Sequence, residues 1–535
     1  MKKGVDNQTP EAVAQDGATL WRTLAAAGRE TIAETLTEED YKRLHIKTEI
    51  EQFLAKEVRT GKSIVVTGNA GDGKTHLLRR VKRDLESVGA VVVEDATAEM
   101  RGGNPQPILE KWRSALEAGK PFCLAANEYP LYQLRMHDRS ALHLKEVERQ
   151  FLNRLAYGDD QHAECVSDVV VIDLSLRNPL DPTFFDSLLE KLLNDEGLKA
   201  ALERSQESVA RRNLQLLAQP MVRKRLGVLA VRLLALGYRA TVRELWILFA
   251  RMIFGRERHD QHQRKVWYSE SLFDRDDRFD FTEALQAVDP AGCSHPIWDA
   301  ALDARAPEVR EGWILQEPLP AAHPTLEWKH FAALKRRFYF EHKNGKEIFD
   351  LADTDAEEFE ALLGGEKGSD RTLVETLVDS INAAYCPQRF DSRKQHLYLW
   401  NGHRFHEQPS RSFVATERIT SEDFIMEIPR LPETLKRCFH YRPDHIALTY
   451  KHNGKPRLKI DFPLWRTLCR LKRGLPRKLI PERDIHRLDA FLQKLGAGSV
   501  SERDTIWSVH LENLELIQVD LSADKGRYER VHKYG

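Results

Sequence analysis

The chain has 535 residues, 41% of them apolar and 30% charged, and a formal net charge of -1 with a pI near 7.1. A length of this order holds about three or four domains of roughly 100–200 residues each, and the near-neutral charge excludes a global electrostatic affinity for nucleic acid or membrane, so any such contact must come from local patches. Six scattered cysteines (Cys123, Cys165, Cys293, Cys386, Cys438, Cys469) without CxxC spacing exclude a zinc-finger or disulfide-framework protein and suit a reducing cytosol.

In chain order, residues 1–40 open with a polar stretch that predicts a partly disordered N-terminal segment without the apolar run of a signal peptide. "LHIKTEIEQFLAKEV" sets Ile46, Ile50, Phe53, Leu54 and Val58 at helical spacing. Gly61 ends that helix, "SIVVTG" reads as a buried strand, and "THLLRRVKRDLESVG" repeats Leu77, Leu78, Val81 and Leu85 along one helical face. "AVVVEDAT", "PFCLAANE" and "DVVVIDLSL" read as three further strands, with the helix "PILEKWRSALEAG" ahead of the second. Apolar strands alternating with helices predict an α/β core over 41–181, a parallel sheet with helices on both faces. Residues 182–256 read as a helical lid, 257–365 as a mainly helical middle domain, and 366–535 as a mixed α+β domain. In the last, "HLYLWNGHRF" and "IALTYKHNGKPRLKIDF" carry Asn-Gly between alternating runs, a hairpin signal. Trp400 and Trp507 lie in alternating strands and read as core. The most apolar stretch, "LGVLAVRLLALG", is short and contains Arg232, which predicts no membrane span.

The stretch "VVTGNAGDGKTHLL" carries the chemistry. Gly68, Asn69, Ala70, Gly71, Asp72, Gly73, Lys74 and Thr75 match GxxxxGK[ST] between a predicted strand and a predicted helix, which identifies a P-loop. Glycines let the backbone curl its N–H groups around phosphate oxygens, and the helix that follows, through His76, adds the positive end of its dipole. The expected ligand is ATP with Mg2+: Lys74 reaches the β- and γ-phosphates, and the Thr75 hydroxyl is a magnesium ligand. Lys74 reads as a surface cation that packing can spare. Hydrolysis needs a further carboxylate. Glu94–Asp95 lies 21 residues past Lys74 (95 − 74), too close for an intervening strand and helix, whereas Asn127–Glu128 lies 54 past it (128 − 74). "FCLAANE" therefore reads as the Walker B strand, with Glu128 polarising the attacking water and Asn127 supporting the metal shell. Asp173 after "VVVI" fits the same pattern and stays open as an alternative. Ser175, Arg177 and Asn178 are candidate γ-phosphate sensors, and Arg243, in the first turn of the helix after Thr241, is a candidate sensor arginine. "WRTLCRLKRGLPRKL" concentrates Arg466, Arg470, Lys472, Arg473, Arg477 and Lys478 without an acid, so residues 466–478 are a candidate DNA contact.

Together, "GNAGDGKTH", "EDATAE", "LAANEYPL", "IDLSLRNP", "ATVRELWILFARMIFG" and "LYLWNGHRF" give a chain that resembles the DptF-like ATPases of bacterial phosphorothioation-dependent restriction and anti-phage defence systems, relatives of AAA+ and STAND-type P-loop NTPases. The likeness covers roughly residues 41–255 and is faint beyond. It implies an ATP-binding and ATP-hydrolysing subunit of a DNA-directed defence complex, with other defence-system proteins as partners and room for a homo-oligomer. By the match of "EDATAE" it adds Asp95 and Thr97 to the nucleotide site. The departure is Asn127 where an Asp usually stands, which bears on the hydrolysis rate. The alternative is a STAND-type signalling ATPase whose C-terminal half senses a ligand or partner. A small-molecule kinase fits poorly with so long an extension, and no nuclease signature stands out.

Overall fold

A computed structural model describes residues 10–534 apart from 28–35, 153–167, 205–207, 256–266, 276–279, 316–327, 350–353, 366–370, 387–392, 402–411, 432, 437, 439–440, 453–455, 499–504, 511–514 and 523–526. The chain divides into two compact units. Met1–Leu234, Tyr238–Ala352 and Leu431–Tyr441 form the first; Ala235–Gly237, Asp353–Arg430 and Arg442–Gly535 form the second.

The first unit begins with helices α1 (Pro10–Ala26), α2 (Glu38–Leu44) and α3 (Glu49–Arg59). The polar opening of the sequence suggests a loose segment, yet α1 is helical. Leu20, Trp21 and Leu24 at helical spacing are each at most 3% exposed, and that stripe pins the segment. Then come β1 (Ser63–Thr67), α4 (Lys74–Ser87), β2 (Val91–Val93), the single turn α5 (Ala96–Glu99), α6 (Gln106–Glu117), β3 (Phe122–Ala125), α7 (Glu128–His137) and β4 (Val169–Asp173). The strands form one sheet in the order β2-β3-β1-β4. All its pairings are parallel, with Val66 beside Ala125 and Ile172, and Thr67 beside Asp173. The expected α/β core is therefore present, and β1 has the ends of both β3 and β4 as direct neighbours.

Alternation along the strands sorts the core into two layers. Ile64, Val66, Cys123 and Ile172 pack with Ile50, Leu54 and Val58 of α3 and Leu78 and Leu85 of α4. Val65, Leu124 and Val171 pack on the other face with Ile108 and Trp112 of α6 and Leu131 of α7. Because both faces are covered, β1, β3 and β4 are buried at every position, which is why they read as unbroken apolar runs.

Beyond the sheet lie α8 (Pro182–Leu193), α9 (Glu196–Arg204), α10 (Ser208–Leu217), α11 (Pro220–Ala235) and α12 (Val242–Phe254), the helical region expected there. Thr241 starts α12 through a reciprocal capping box with Glu244. Trp246 of α12 meets Trp21 of α1 with ring centroids 5.6 Å apart.

The second unit contains α13 (Thr354–Leu363), α14 (Arg371–Tyr385), β5 (His396–Asn401), β6 (Ser412–Thr420), β7 (Phe424–Glu427), β8 (His445–Tyr450), β9 (Arg457–Asp461), α15 (Phe462–Lys472), α16 (Glu482–Gly498), β10 (Thr505–His510), β11 (Leu516–Ser522) and β12 (Arg527–Tyr534). Two sheets form, in the orders β12-β11-β10-β6-β5 and β7-β8-β9. Trp400 and Trp507 are core, at 4% and 5% exposed. The Asn-Gly signals lie between strands that pair antiparallel. Asn401, the last residue of β5, pairs with Val414 of β6, and Gly402 lies outside the described residues. Asn453 and Gly454 lie outside the described residues, and the β8–β9 ladder closes with the Tyr450 N–H donating to the Pro456 carbonyl at 3.0 Å. Among the described residues no helix is long and apolar enough to cross a membrane.

Candidate functional site

The segment between β1 and α4 turns on glycine. Gly68, Gly71 and Gly73 have φ of 134°, 96° and 94°, a region that side chains with a Cβ rarely enter. Gly73 is the left-handed residue that starts α4. At Gly71 the requirement is also steric, since a Cβ there would sit 3.1 Å from the Thr241 Oγ1 and from the Arg243 Cβ. The loop thus curls at the carboxyl end of a buried strand and delivers the chain directly into a helix whose first N–H groups have no intrahelical partner.

Lys74, the first residue of α4, is 8% exposed, not the surface cation suggested by sequence. Its ammonium donates to the Gly68 carbonyl at 2.8 Å and the Asn69 carbonyl at 2.7 Å. Burial lowers its pKa, the carboxylates of Asp72, Asp95 and Asp173 oppose that fall, and Arg243 adds to it. Lys74 is therefore a buried cation at a site where charges converge from the loop, the exit of β2, the end of β4 and the start of α12.

A cavity of about 950 Å³ opens in front of it. Its polar lining includes Gly71, Lys74, Thr75, Asp95, Asn127 and Arg243. Its apolar and aromatic lining includes Leu24, Leu36, Tyr41, Leu44 and Trp246. A lining that mixes hydrogen-bonding groups with apolar and aromatic surface suits a ligand with a phosphate chain and a flat heterocycle.

The structure brings together most of the residues singled out by sequence. Ala70, Gly73 and His76 also line the cavity. Asp95 lines it while capping α5, accepting from the Thr97 N–H at 2.8 Å and the Ala98 N–H at 3.4 Å. Arg243 lines it while its backbone N–H donates to the Gly71 carbonyl at 3.2 Å. Asn69 and Asp72 shape the loop from within, the Asn69 N–H donating to the Asp72 carboxylate at 2.8 Å. Asn127 and Glu128 part company at the end of β3. Asn127 faces the cavity, whereas Glu128 is exposed at the head of α7 and is not a lining residue. Asp173 is 3% exposed, and its carboxylate accepts from the Ser175 N–H at 2.8 Å. Thr97 is exposed and outside the cavity lining. Arg177 and Asn178 are engaged elsewhere. Arg177 stacks over Phe184 with its guanidinium carbon 4.4 Å from the ring centroid, and Asn178 donates to the Tyr238 carbonyl at 2.9 Å.

Sequence reasoning missed the wall made by α2. Tyr41 stacks on His76 at 5.4 Å, and the Arg79 guanidinium lies 5.0 Å from the Tyr41 ring centroid. His45 Nδ1 is 3.1 Å from His76 Nε2, and His45 Nε2 is 3.3 Å from the Glu51 carboxylate. No motif announces this chain of contacts, because its members belong to three separate helices or their ends. Burial holds the His76 imidazole down at about 4, helped by the neighbouring His45. In the unfolded chain a histidine titrates near 6.5, so His76 contributes stability above that pH and loses it as pH falls towards 4. Its protonation is expected to cost up to about 3 kcal/mol over that window. Denaturant unfolding across pH 7 to 4 checks this: the wild-type chain should lose more stability than His76→Gln, and parallel curves would remove His76 as the cause.

No protein-family model, curated protein or solved structure matches the chain.

Proposed function

We propose that the chain binds a nucleoside triphosphate, as ATP with Mg2+, at the Gly68–Thr75 loop and hydrolyses it. One observation carries the reading: three positive-φ glycines at the end of a buried parallel strand, followed by Lys74 at a helix start, front a cavity of about 950 Å³. The backbone N–H groups of the loop and α4 bind phosphate oxygens. Lys74 moves from the loop carbonyls onto the phosphate chain. Thr75, with the Asp173 or Asn127 side chain, would hold the magnesium shell, and the metal would supply charge neutralisation for the phosphates. Arg243 supplies a second cation from α12. The apolar and aromatic lining residues, Leu24, Leu36, Tyr41, Leu44 and Trp246, are the surface for the base. Equilibrium binding of a fluorescent ATP analogue, followed by turnover measurements, tests the reading.

The wider role is proposed on the resemblance of the sequence: an ATPase subunit of a DNA-directed bacterial defence complex. Two observations bear on how the second unit would serve it. Of the six cations at 466–478, Arg473 is spent on Asp355 at 2.5 Å, and Arg477 lies over Tyr385 while donating to the Ala384 carbonyl at 3.2 Å. Arg470, Lys472 and Lys478 are exposed. If these three meet duplex phosphates, log K should fall against log salt with a slope of about −2.7 from them. Replacing all three with Glu should remove that component; an unchanged affinity and slope would exclude the patch as a DNA contact. The signalling alternative draws its support from the second unit's own hydrophobic core and its groove of about 600 Å³ between α13, α14 and α15. Stimulation of turnover by DNA favours the first role, and nucleotide-driven assembly without a DNA effect favours the second.

A further inference from the structure

The Gly68–Thr75 loop is held by an ionic cluster of a buried carboxylate and two half-buried guanidinium groups, none of which lines the cavity. Asp72 is 1% exposed. Both its carboxylate oxygens accept from the Arg239 Nη2, at 2.8 and 2.9 Å. The same carboxylate accepts the Asn69 N–H, so it closes the loop on itself as well as binding Arg239. Arg177 donates to the Asp72 backbone carbonyl at 3.2 Å. Arg239 also reaches the Leu174 and Arg177 carbonyls at 3.5 and 3.4 Å, which ties in the chain leaving β4. Two residues further on, Thr241 and Arg243 abut Gly71, and the Arg243 N–H donates to its carbonyl.

Neither Asp72, Arg177 nor Arg239 lines the cavity, whereas Gly71 and Arg243 do. The cluster therefore cannot act by touching a ligand. What it can do is fix two things that touch the ligand relative to each other: the curled loop and the N-terminal turn of α12.

We propose that Asp72 and Arg239 are a positioning pair that couples the shape of the nucleotide loop to the docking of the 239–243 segment, so that ATP in the cavity and α12 on the loop stabilise one another. This rests on the nucleotide reading of the loop. The physical basis is linkage. A loop held in its anion-binding shape binds phosphate more tightly, and by reciprocity a bound phosphate holds the segment that shapes the loop. A buried carboxylate held by one guanidinium suits the task, because removing Arg239 leaves the Asp72 charge buried and without its ion-pair partner, so the loop and the 239–243 segment favour the paired arrangement.

Hydrogen exchange of the full chain with and without Mg-ATP, alongside ATP affinity, tests the pair. In the wild type, ATP should slow exchange both in the loop and across residues 239–248. Asp72→Asn keeps the size of the side chain and its acceptor for the Asn69 N–H while removing the charge. It should bind ATP about tenfold or more weakly, and at saturating ATP the loop should be protected while 239–248 is not. Arg239→Lys should fall between the two. The double variant Asp72→Asn/Arg239→Met, which removes both charges of the pair together, should be no weaker in ATP binding than the poorer single variant, and it keeps the test available if either single variant fails to fold. Folded variants with wild-type affinity and wild-type protection of 239–248 would overturn the proposal while leaving ATP binding intact. Absence of ATP binding by the wild-type chain would instead overturn the nucleotide reading, and the coupling with it.

Discussion

Lys74→Ala is expected to abolish measurable ATP binding and turnover while leaving a folded chain. The ammonium makes two short hydrogen bonds within the loop, to Gly68 and Asn69. On phosphate it would exchange these for bonds to an ionised acceptor, and hydrogen bonds to charged groups contribute about 1.5–3 kcal/mol each. Two such contacts amount to roughly 10²–10⁴-fold in affinity at about 1.4 kcal/mol per factor of ten. Because Lys74 is buried, the variant also takes the Lys74 donor from the Gly68 carbonyl and leaves the Asn69 carbonyl with the Asp72 N–H alone, and some stability is lost with them. Lys74→Met, which fills the same volume without the charge, separates the two effects. Both variants should lose ATP binding, and thermal melting should show the alanine variant as the less stable. A Lys74 variant that turns over ATP at the normal rate would end the nucleotide reading.

The strands were legible because they are buried on both faces, so that "SIVVT", "FCLA" and "VVVID" read as apolar runs set between helices of clear period. The start of α12 was legible for a local reason too, the capping box of Thr241 with Glu244. The order of the sheet was not. Nothing in the periodicity of residues 169–173 says that they join β1 on the side opposite β3. Helix α1 was obscured by its polar beginning, since only the stripe at Leu20, Trp21 and Leu24 reports burial, and its partners lie in α9 and α12, far along the chain.

The glycines were legible because a positive φ restricts the residue type, and Lys74 because it follows them at a fixed spacing at the start of a helix. The cluster that holds the loop was not, because Asp72 and Arg239 are 167 residues apart and each alone is an ordinary charged residue. The burial of Lys74 escaped notice for a similar reason: a lysine is seldom buried without partners, and its partners here are backbone carbonyls, which carry no sequence signal.

Glu128→Gln is expected to bind ATP and hydrolyse it about 10²–10⁴-fold more slowly, the loss typical of a missing general base. The placement of β3 beside β1 brings Asn127 to the cavity, and Glu128 follows it in sequence at the head of α7, exposed. The proposed role requires its carboxylate to turn towards the water that attacks the terminal phosphate, and its exposure means that the substitution disturbs no packing. Asp173 is the competitor on the other flank. It sits opposite Thr67 in the register of β1 and β4, is buried, and is close enough to act on the charge of Lys74. Because its carboxylate is already fixed by the Ser175 N–H, we assign Asp173 to the proposed metal shell rather than to the attacking water. Asp173→Asn should therefore weaken Mg-ATP binding and raise the Mg2+ concentration needed for turnover, whereas Glu128→Gln should leave both unchanged and lower only the rate. Titrating Mg2+ against single-turnover hydrolysis in the two variants separates the roles. A large loss of rate in Asp173→Asn at saturating Mg2+, with Glu128→Gln near the wild-type rate, would move water activation from the end of β3 to the end of β4.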